Sequence, residues 1–355
     1  MTDQNNAPDS RPPHSAGVSR MRRLIFSIVV LAALGAAGEL ALRLFHRFQH
    51  HALDAKYPDR ARCMMPVDDP DLVYAYIPGA CGNNAQGYWD YPRTFDKPAG
   101  TFRIVLIGDS VAVGDGVDIQ DRFGQVLERR LNEKLSYPVE LITLARTGYS
   151  SSQELVILKN EAFDYGPDLI LWSYVLNDPA HPLYHDANGE LGQYFYSPRF
   201  HLPHFLAAGF FGLKEKVAAL SCPDEYHAKL HCVYWPNVES LFATLAQTAA
   251  AHQTPIAPIL HPVFEKGRDF STYSLADLHE RLDALAAENH LPIIDLLDAY
   301  RQYDPDPIRR HTDERFDPWH PNAKGHAVAA EAIERFLLDR RFLPAGPASA
   351  PGSAP

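Results

Sequence analysis

The sequence predicts an α/β fold: one doubly wound domain around a five-stranded parallel sheet, preceded by a single apolar helix near the N-terminus. Three observations predict it. Five short apolar runs recur between residues 101 and 297. Patterns of helical period separate them, the alternation expected of βαβ units. Ahead of them, residues 24–45 read LIFSIVVLAALGAAGELALRLF, broken only by Glu39 and Arg43.

Residues 1–23 are polar, contain Pro8, Pro12 and Pro13, and end in Arg20, Arg22 and Arg23, which reads as a disordered tail. The 22 positions of residues 24–45 span roughly 33 Å as a helix, enough for a hydrocarbon core of about 30 Å. Glu39 and Arg43 are four apart and can pair on one helical face or reach the interface. The segment is therefore read as a retained transmembrane anchor, because apolar character resumes past Glu39. A cleaved signal peptide is the rival, with residues 24–38 as its apolar region and Gly35-Ala36-Ala37 as its small-residue site. A buried core helix is the third reading.

Residues 46–100 form a juxtamembrane region rich in Pro, Asp and Tyr. The domain proper is expected over residues 101–342, with strands at 102–107, 139–144, 169–175, 255–260 and 292–297. Its helices are expected at 122–135, 152–163, 240–251, 275–289 and 323–338. Residues 179–236 interrupt this rhythm as an insertion crowded with Tyr184, Tyr194, Phe195, Tyr196, Phe200, Phe205, Phe210 and Phe211. It reads equally as a lid or wall of a substrate pocket, with membrane contact as one option, and as an insertion packing its own aromatics. Residues 343–355, ending PAGPASAPGSAP, read as a disordered tail.

Lys+Arg number 33 against Asp+Glu 44, a formal charge of -11, which argues against nucleic-acid binding. Basic residues flank the apolar run almost equally, so charge leaves its orientation open. The cysteines help to decide it. Cys63, Cys81, Cys222 and Cys232 are even in number and all lie beyond the run, as suits an oxidising compartment and two disulfides. Three connectivities are open; the sequence-local pairs Cys63–Cys81 and Cys222–Cys232 are preferred over the other two, and four free thiols are the alternative. Seventeen histidines invite a metal hypothesis, but there is no HExxH, and His50-His51 and His201-x-x-His204 lack carboxylate company. Surface or interfacial histidines are the expectation, and no metal or other cofactor is expected.

In an open α/β sheet, ligands bind beyond the carboxyl ends of the strands. The first strand delivers Gly108-Asp109-Ser110, the second leads to Gly148, and the third delivers Asn177-Asp178. Asp317-Pro318-Trp319-His320-Pro321-Asn322 precedes the last helix. A serine hydroxyl needs a base to take its proton, and histidine titrates in the right range. The base needs a carboxylate to orient its other ring nitrogen. Asp317 and His320, three apart between prolines, can supply both from one turn. The backbone N–H groups of Ser110 and Gly148 and the amide of Asn177 can receive a developing oxyanion. Asp109 and Asp178 read as loop-holding residues rather than acids or bases, and Trp319 as packing against the last helix, with a place in the pocket wall as its alternative. The plainer alternatives are a helix N-cap for Ser110 and a hydrogen-bonded loop histidine for His320.

IVLIGDSVAVGDGV, TGYSSSQEL, YVLNDP and DPWHPNAKGH resemble, in order, the four blocks of the SGNH (GDSL) hydrolase superfamily. The resemblance covers residues 100–338, and GELALRLF looks like the anchor of its membrane-attached bacterial members. It implies a flavodoxin-like three-layer α/β/α fold and ester or acyl hydrolysis without metal. By position it makes Ser110 the nucleophile, His320 the base and Asp317 its orienter, with Ser110, Gly148 and Asn177 as the oxyanion hole. One position departs: Val175 stands where the third block has glycine. No Gly-x-Ser-x-Gly elbow is present.

The expected protein is a single-pass inner-membrane serine esterase or deacylase, its catalytic domain facing the periplasm or cell exterior. Its substrate is an acylated small molecule, glycan or lipid. Two rivals stand beside it: an O-acyltransferase using the same acyl-enzyme, and a non-catalytic envelope module binding glycan or lipid through its aromatic insertion.

Overall fold

A computed structural model describes residues 16–56, 60–67, 69, 71–179, 195–196, 198–312 and 316–344. The chain divides into two compact units. Tyr184, Tyr194 and most of the two terminal tails lie outside the described residues.

The smaller unit is helix α1 (Ala16–Lys56) together with residues 198–209. The stretch Arg20–His51 of α1 is long and apolar enough to cross a bilayer. Leu24, Phe26, Leu31, Leu34 and Leu44 are exposed along it. The helix begins at Ala16, so it takes in residues expected to belong to an irregular tail. Arg43 Nε donates to Glu39 Oε1 at 2.8 Å, the pairing that the four-residue spacing allows.

The larger unit opens with a short helix α2 (Arg60–Cys63) and an antiparallel hairpin of β1 (Met64–Pro66) and β2 (Tyr74–Tyr76). A Cys63–Cys81 disulfide closes this region, with Cα atoms 5.5 Å apart. The main sheet then follows. Strands β3 (Phe102–Gly108), β4 (Val139–Ala145), β5 (Leu169–Val175), β6 (Ile256–His261) and β7 (Ile294–Asp295) lie in the order β4-β3-β5-β6-β7, every pair parallel. This is the 2-1-3-4-5 order of flavodoxin-like folds, whose winding reverses between β3 and β5. Both faces of the sheet are covered. Residues 104–107, 169–172 and 256–260 are therefore all buried, and the strands read as unbroken apolar runs.

The flanking helices are α4 (Phe123–Lys134) with α10 (Ala323–Asp339), packed on one another, and α5 (Ser151–Asn160) with α7 (Tyr226–His252). Between these in the chain lie α3 (Ser110–Val113), α6 (His201–Ala219), α8 (Ala276–Glu288) and α9 (Leu297–Tyr300). Among the described residues of the insertion, most are helical. It contains α6, and its last eleven residues are the first turns of α7, which was expected to start at residue 240. Pro236 lies inside α7 and removes one amide from its ladder. A Cys222–Cys232 disulfide, with Cα atoms 5.8 Å apart, closes the turn between α6 and α7. The last strand is shorter than expected: β7 is an edge strand paired through only Ile294 and Asp295.

Candidate active site

Strand β3 ends at Gly108, where a side chain has no room. A Cβ there would lie 2.7 Å from Ser173 Cβ and 2.8 Å from Ala112 Cβ, so α3 can pack directly on the strand end. Asp109 then caps α3, its Oδ1 accepting the Val111 N–H at 2.9 Å. This sets Ser110 as the first helical residue, where its own N–H has no intrahelical acceptor. Gly114 closes the helix with φ 74°, a left-handed conformation that favours glycine.

The opposite arm comes from the loop before α10. Asn322 caps that helix by accepting the N–H groups of Lys324 and Gly325 at 2.9 and 3.1 Å. Its amide also donates to the carbonyls of Pro307 and Arg309, both at 3.0 Å. Arg310 N–H in turn donates to the His320 carbonyl at 2.8 Å. The turn carrying His320 is thus fixed from both sides.

Ser110 and His320, 210 positions apart, meet in space. Ser110 Oγ lies 2.8 Å from His320 Nε2. His320 Nδ1 lies 2.9 Å from each carboxylate oxygen of Asp317. Asp317 Oδ1 also accepts the N–H groups of Trp319 at 3.1 Å and His320 at 3.2 Å, which locks the carboxylate in its turn. With Nδ1 donating to the carboxylate, Nε2 is left as the acceptor facing the hydroxyl. Burial works against charge on both groups. Their hydrogen bond and mutual attraction outweigh it, lowering Asp317 below the usual carboxylate range and raising His320 above the usual imidazole range. Arg310 Nη1 stands 3.9 Å from Asp317 Oδ2 and adds positive charge behind the pair.

Gly148 and Asn177 follow β4 and β5, the two neighbours of β3, at the same carboxyl edge of the sheet. Gly148 has φ 79°, so the loop after β4 favours glycine there. Asn177 is 8% exposed, and its Oδ1 has no hydrogen-bond partner among the described residues. Its loop is held by Asp178, whose Oδ2 accepts the Val175 N–H at 2.7 Å and whose carbonyl accepts the Ser151 N–H at 3.0 Å. Val175 is buried and takes part in this turn through its backbone. Asp109 is fully buried, and burial pushes its carboxyl up to about 6.

Several residues at the site carry no sequence signal. Thr147, immediately before Gly148, donates from Oγ1 to Asp115 at 3.0 Å and accepts from the Tyr76 hydroxyl at 2.8 Å. Asp115 is half-buried, and desolvation raises its carboxyl against the opposing charge of the neighbouring His320. The indole Nε1–H of Trp319 donates to His227 Nε2 at 3.3 Å, in the first turn of α7. The surface reading of the histidines also fails in part. His231, His261 and His326 are buried, and burial pulls their imidazoles down to about 4, 3 and 3. They serve as neutral partners in the core: His261 Nε2 lies 3.0 Å from Ser173 Oγ, and His326 Nδ1 accepts the Phe123 N–H at 3.2 Å. Among the described residues, no group of three or more His, Cys, Asp or Glu is placed to hold a metal ion.

Comparison with solved structures finds a lipase/acylhydrolase from Enterococcus faecalis, 16% identical, covering 67% of this chain and 96% of that one with a TM-score of 0.43. An acetylxylan esterase from Geobacillus stearothermophilus is 14% identical, covering 66% of this chain and 94% of that one with a TM-score of 0.43. TesA is 15% identical, covering 68% and 99% with a TM-score of 0.42. No curated protein matches the chain. The sequence profile of the GDSL-like lipase/acylhydrolase family matches residues 106–328, more than half of the chain and the whole stretch from β3 into α10. The protein therefore belongs to the GDSL-like lipase/acylhydrolase family, the hydrolases of ester bonds.

Proposed function

We propose that this protein is a membrane-tethered, extracytoplasmic serine esterase or deacylase that works through an acyl-enzyme. The observation that carries the reading is the continuous chain Ser110 Oγ, His320 and Asp317, with contacts of 2.8 and 2.9 Å. His320 Nε2 takes the hydroxyl proton as Ser110 Oγ attacks the ester carbonyl carbon, and Asp317 steadies the imidazolium that forms. The carbonyl oxygen becomes an oxyanion received by the N–H groups of Ser110 and Gly148 and by the Asn177 amide. Collapse expels the alkoxide, which takes the proton from His320 and leaves as the alcohol. The acyl group stays on Ser110 as an ester. Water then gives a proton to His320 and attacks the acyl carbon. The second collapse returns that proton to Ser110 Oγ and releases the carboxylic acid.

The setting is read from two features. The apolar stretch of α1 serves as the anchor, and the two disulfides suit an oxidising compartment. The test is labelling by a fluorophosphonate together with turnover of p-nitrophenyl acetate. Wild-type protein is expected to be labelled at Ser110, and both labelling and turnover are expected to vanish in Ser110→Ala. Asp317→Asn is expected to lower kcat on the order of 10⁴-fold, the cost in the triad template when histidine is held in the wrong tautomer. Labelling unchanged in Ser110→Ala would refute the assignment. Free acid as the sole product in the presence of a glycan acceptor separates hydrolysis from transfer.

A further inference from the structure

Helix α6 presents an apolar stripe to the outside. Leu206, Phe210, Leu213 and Val217 are 59–73% exposed, and Leu220, just past the helix end, is 85% exposed. Their spacing of four, three, four and three residues puts them on one line along the helix. At about 100° per residue, Lys214 and Lys216 fall on either side of that line, while Glu215 falls opposite it. Phe211, on the far side from the stripe, packs against the buried pair Leu230 and Tyr234 of α7. One side of α6 is thus committed to the protein. The other is an apolar strip edged by two cations.

The start of α6 is tied to the apolar helix α1. Glu39, the acid that interrupts the apolar run, spends both carboxylate oxygens on this helix: Oε1 accepts the His201 N–H at 3.0 Å and Oε2 the Leu202 N–H at 2.7 Å. These are amides that a helix leaves without internal partners. Arg43 Nη2 donates to the Arg199 carbonyl at 2.5 Å, and the Leu202 side chain lies against Gly38. The first turn of α6 is therefore fixed beside residues 38–43, inside the stretch long enough to cross a bilayer.

We propose that α6 is a second membrane-contacting element, seated in a phospholipid bilayer with its stripe at the boundary between headgroups and acyl chains. The proposal rests on the reading of α1 as an anchor. Three features select lipid as the occupant: continuity with the spanning helix through Glu39, the amphipathic line, and the placing of Lys214 and Lys216. Lysines at the edges of such a stripe keep their stems in the apolar layer and their ammonium groups at anionic phosphates. A second copy of the chain docked stripe to stripe would instead bring four ammonium groups together.

The test uses the full chain in unilamellar vesicles of phosphatidylethanolamine and phosphatidylglycerol, with a diazirine photolabel dissolved in the lipid and the adducts mapped by mass spectrometry. Residues 206–217 are expected to be labelled comparably to residues 24–45, and about tenfold more than the domain helix α10, as for any helix lying in the interface. Labelling of residues 24–45 with none on α6 overturns the proposal and leaves the anchor standing. Labelling of neither segment removes both. The double variant Phe210→Glu/Leu213→Glu lies away from every residue placed in the site. It is expected to lose labelling of α6 about tenfold while hydrolysing a soluble acetate ester at the wild-type rate; undiminished labelling of α6 in this variant also overturns the proposal.

Discussion

Tyr76 grips Thr147 at two atoms: its hydroxyl accepts the Thr147 N–H at 2.9 Å and donates to Thr147 Oγ1 at 2.8 Å. Tyr74 adds a third hold, donating from its hydroxyl to the Thr147 carbonyl at 2.7 Å. The β1–β2 hairpin thus fixes the residue before Gly148, the proposed oxyanion donor, and Asp115 accepts the proton of Thr147 Oγ1. Tyr76→Phe leaves the part-buried Thr147 N–H without its acceptor. The expected cost is about 1–3 kcal/mol of stability. If the loop supplies an oxyanion donor, kcat on p-nitrophenyl acetate falls roughly tenfold as well, less than outright loss of a donor would cost. Thermal unfolding and steady-state kinetics separate the two. A lowered Tm with kcat unchanged would take Gly148 out of the oxyanion hole.

The pH dependence follows from His320. It acts as a base only when neutral, and Asp317 raises its pKa above the ordinary 6.5 against the opposing effect of burial. Activity is therefore expected to fall off on the acid side with an apparent pKa above 6.5. Asp317→Asn removes the attraction and is expected to move that limb to lower pH, in the residual activity that remains. For stability the signs are opposite for the two partners. The raised His320 favours the folded state fully below pH 6.5 and loses that contribution as pH rises through its folded value. The lowered Asp317 contributes above its ordinary 3.8 and loses that contribution as pH falls through its folded value. A pH–rate profile whose acid limb does not move in Asp317→Asn would show that another group controls it.

The Cys63–Cys81 disulfide closes a loop with a sequence separation of 18 around the hairpin that holds Thr147. Chain-entropy reasoning puts its contribution at about 3 kcal/mol. The paired variant Cys63→Ser/Cys81→Ser is expected to unfold at lower denaturant by that amount. It is also expected to show a lower kcat, since the loop after β4 loses support. The Cys222–Cys232 pair ties the turn before α7 to the second turn of that helix, far along the chain from the hairpin that holds Thr147. Its removal is expected to cost stability without the same kcat loss, and equal kcat losses in both variants would remove the special role given to the hairpin.

Strand β5 was legible to its exact ends, because a strand covered on both faces must be apolar throughout and Pro167 and Asn177 bracket it. The serine, histidine and aspartate were legible because each sits in a short motif at a strand or helix terminus. Their meeting across the sheet follows from the winding order rather than from spacing. The start of α7 was hidden by Pro236, which reads as a breaker. Glu225 caps the helix by accepting the Ala228 N–H at 2.7 Å, and burial of Leu230 and Tyr234 holds the turns before the proline. Strands β1 and β2 have three residues each, too few to show a period. Tyr76 and Thr147 are separated by 71 positions, and no local pattern records such a contact. The core histidines were misread because a neutral imidazole packs like an aromatic ring, a property of its surroundings and not of its neighbours in sequence.

Glu154 lies in α5, fully buried, and neither of its carboxylate oxygens has a hydrogen-bond partner among the described residues. Burial and the nearby charge of Asp109 raise its pKa well above the ordinary carboxylate value. Asp178 is raised in the same direction by burial and then by the charges of Glu154 and Asp109, and its Oδ1 is also unpartnered. Two such groups cannot both hold charge in a space closed to water, so the folded state retains protons that the unfolded chain releases near pH 4. A carboxyl raised on folding stabilises fully below its unfolded pKa and progressively less as pH rises. The native protein is therefore expected to lose stability between pH 5 and 8 through this pair. Glu154→Gln removes one ionisation and keeps the shape. Its Tm is expected to change less than the wild-type Tm over that interval, by a few degrees if the effect is about 1 kcal/mol. Differential scanning calorimetry of both proteins at pH 5 and pH 8 measures the difference, and parallel losses of Tm would show that Glu154 is not the group that releases the proton.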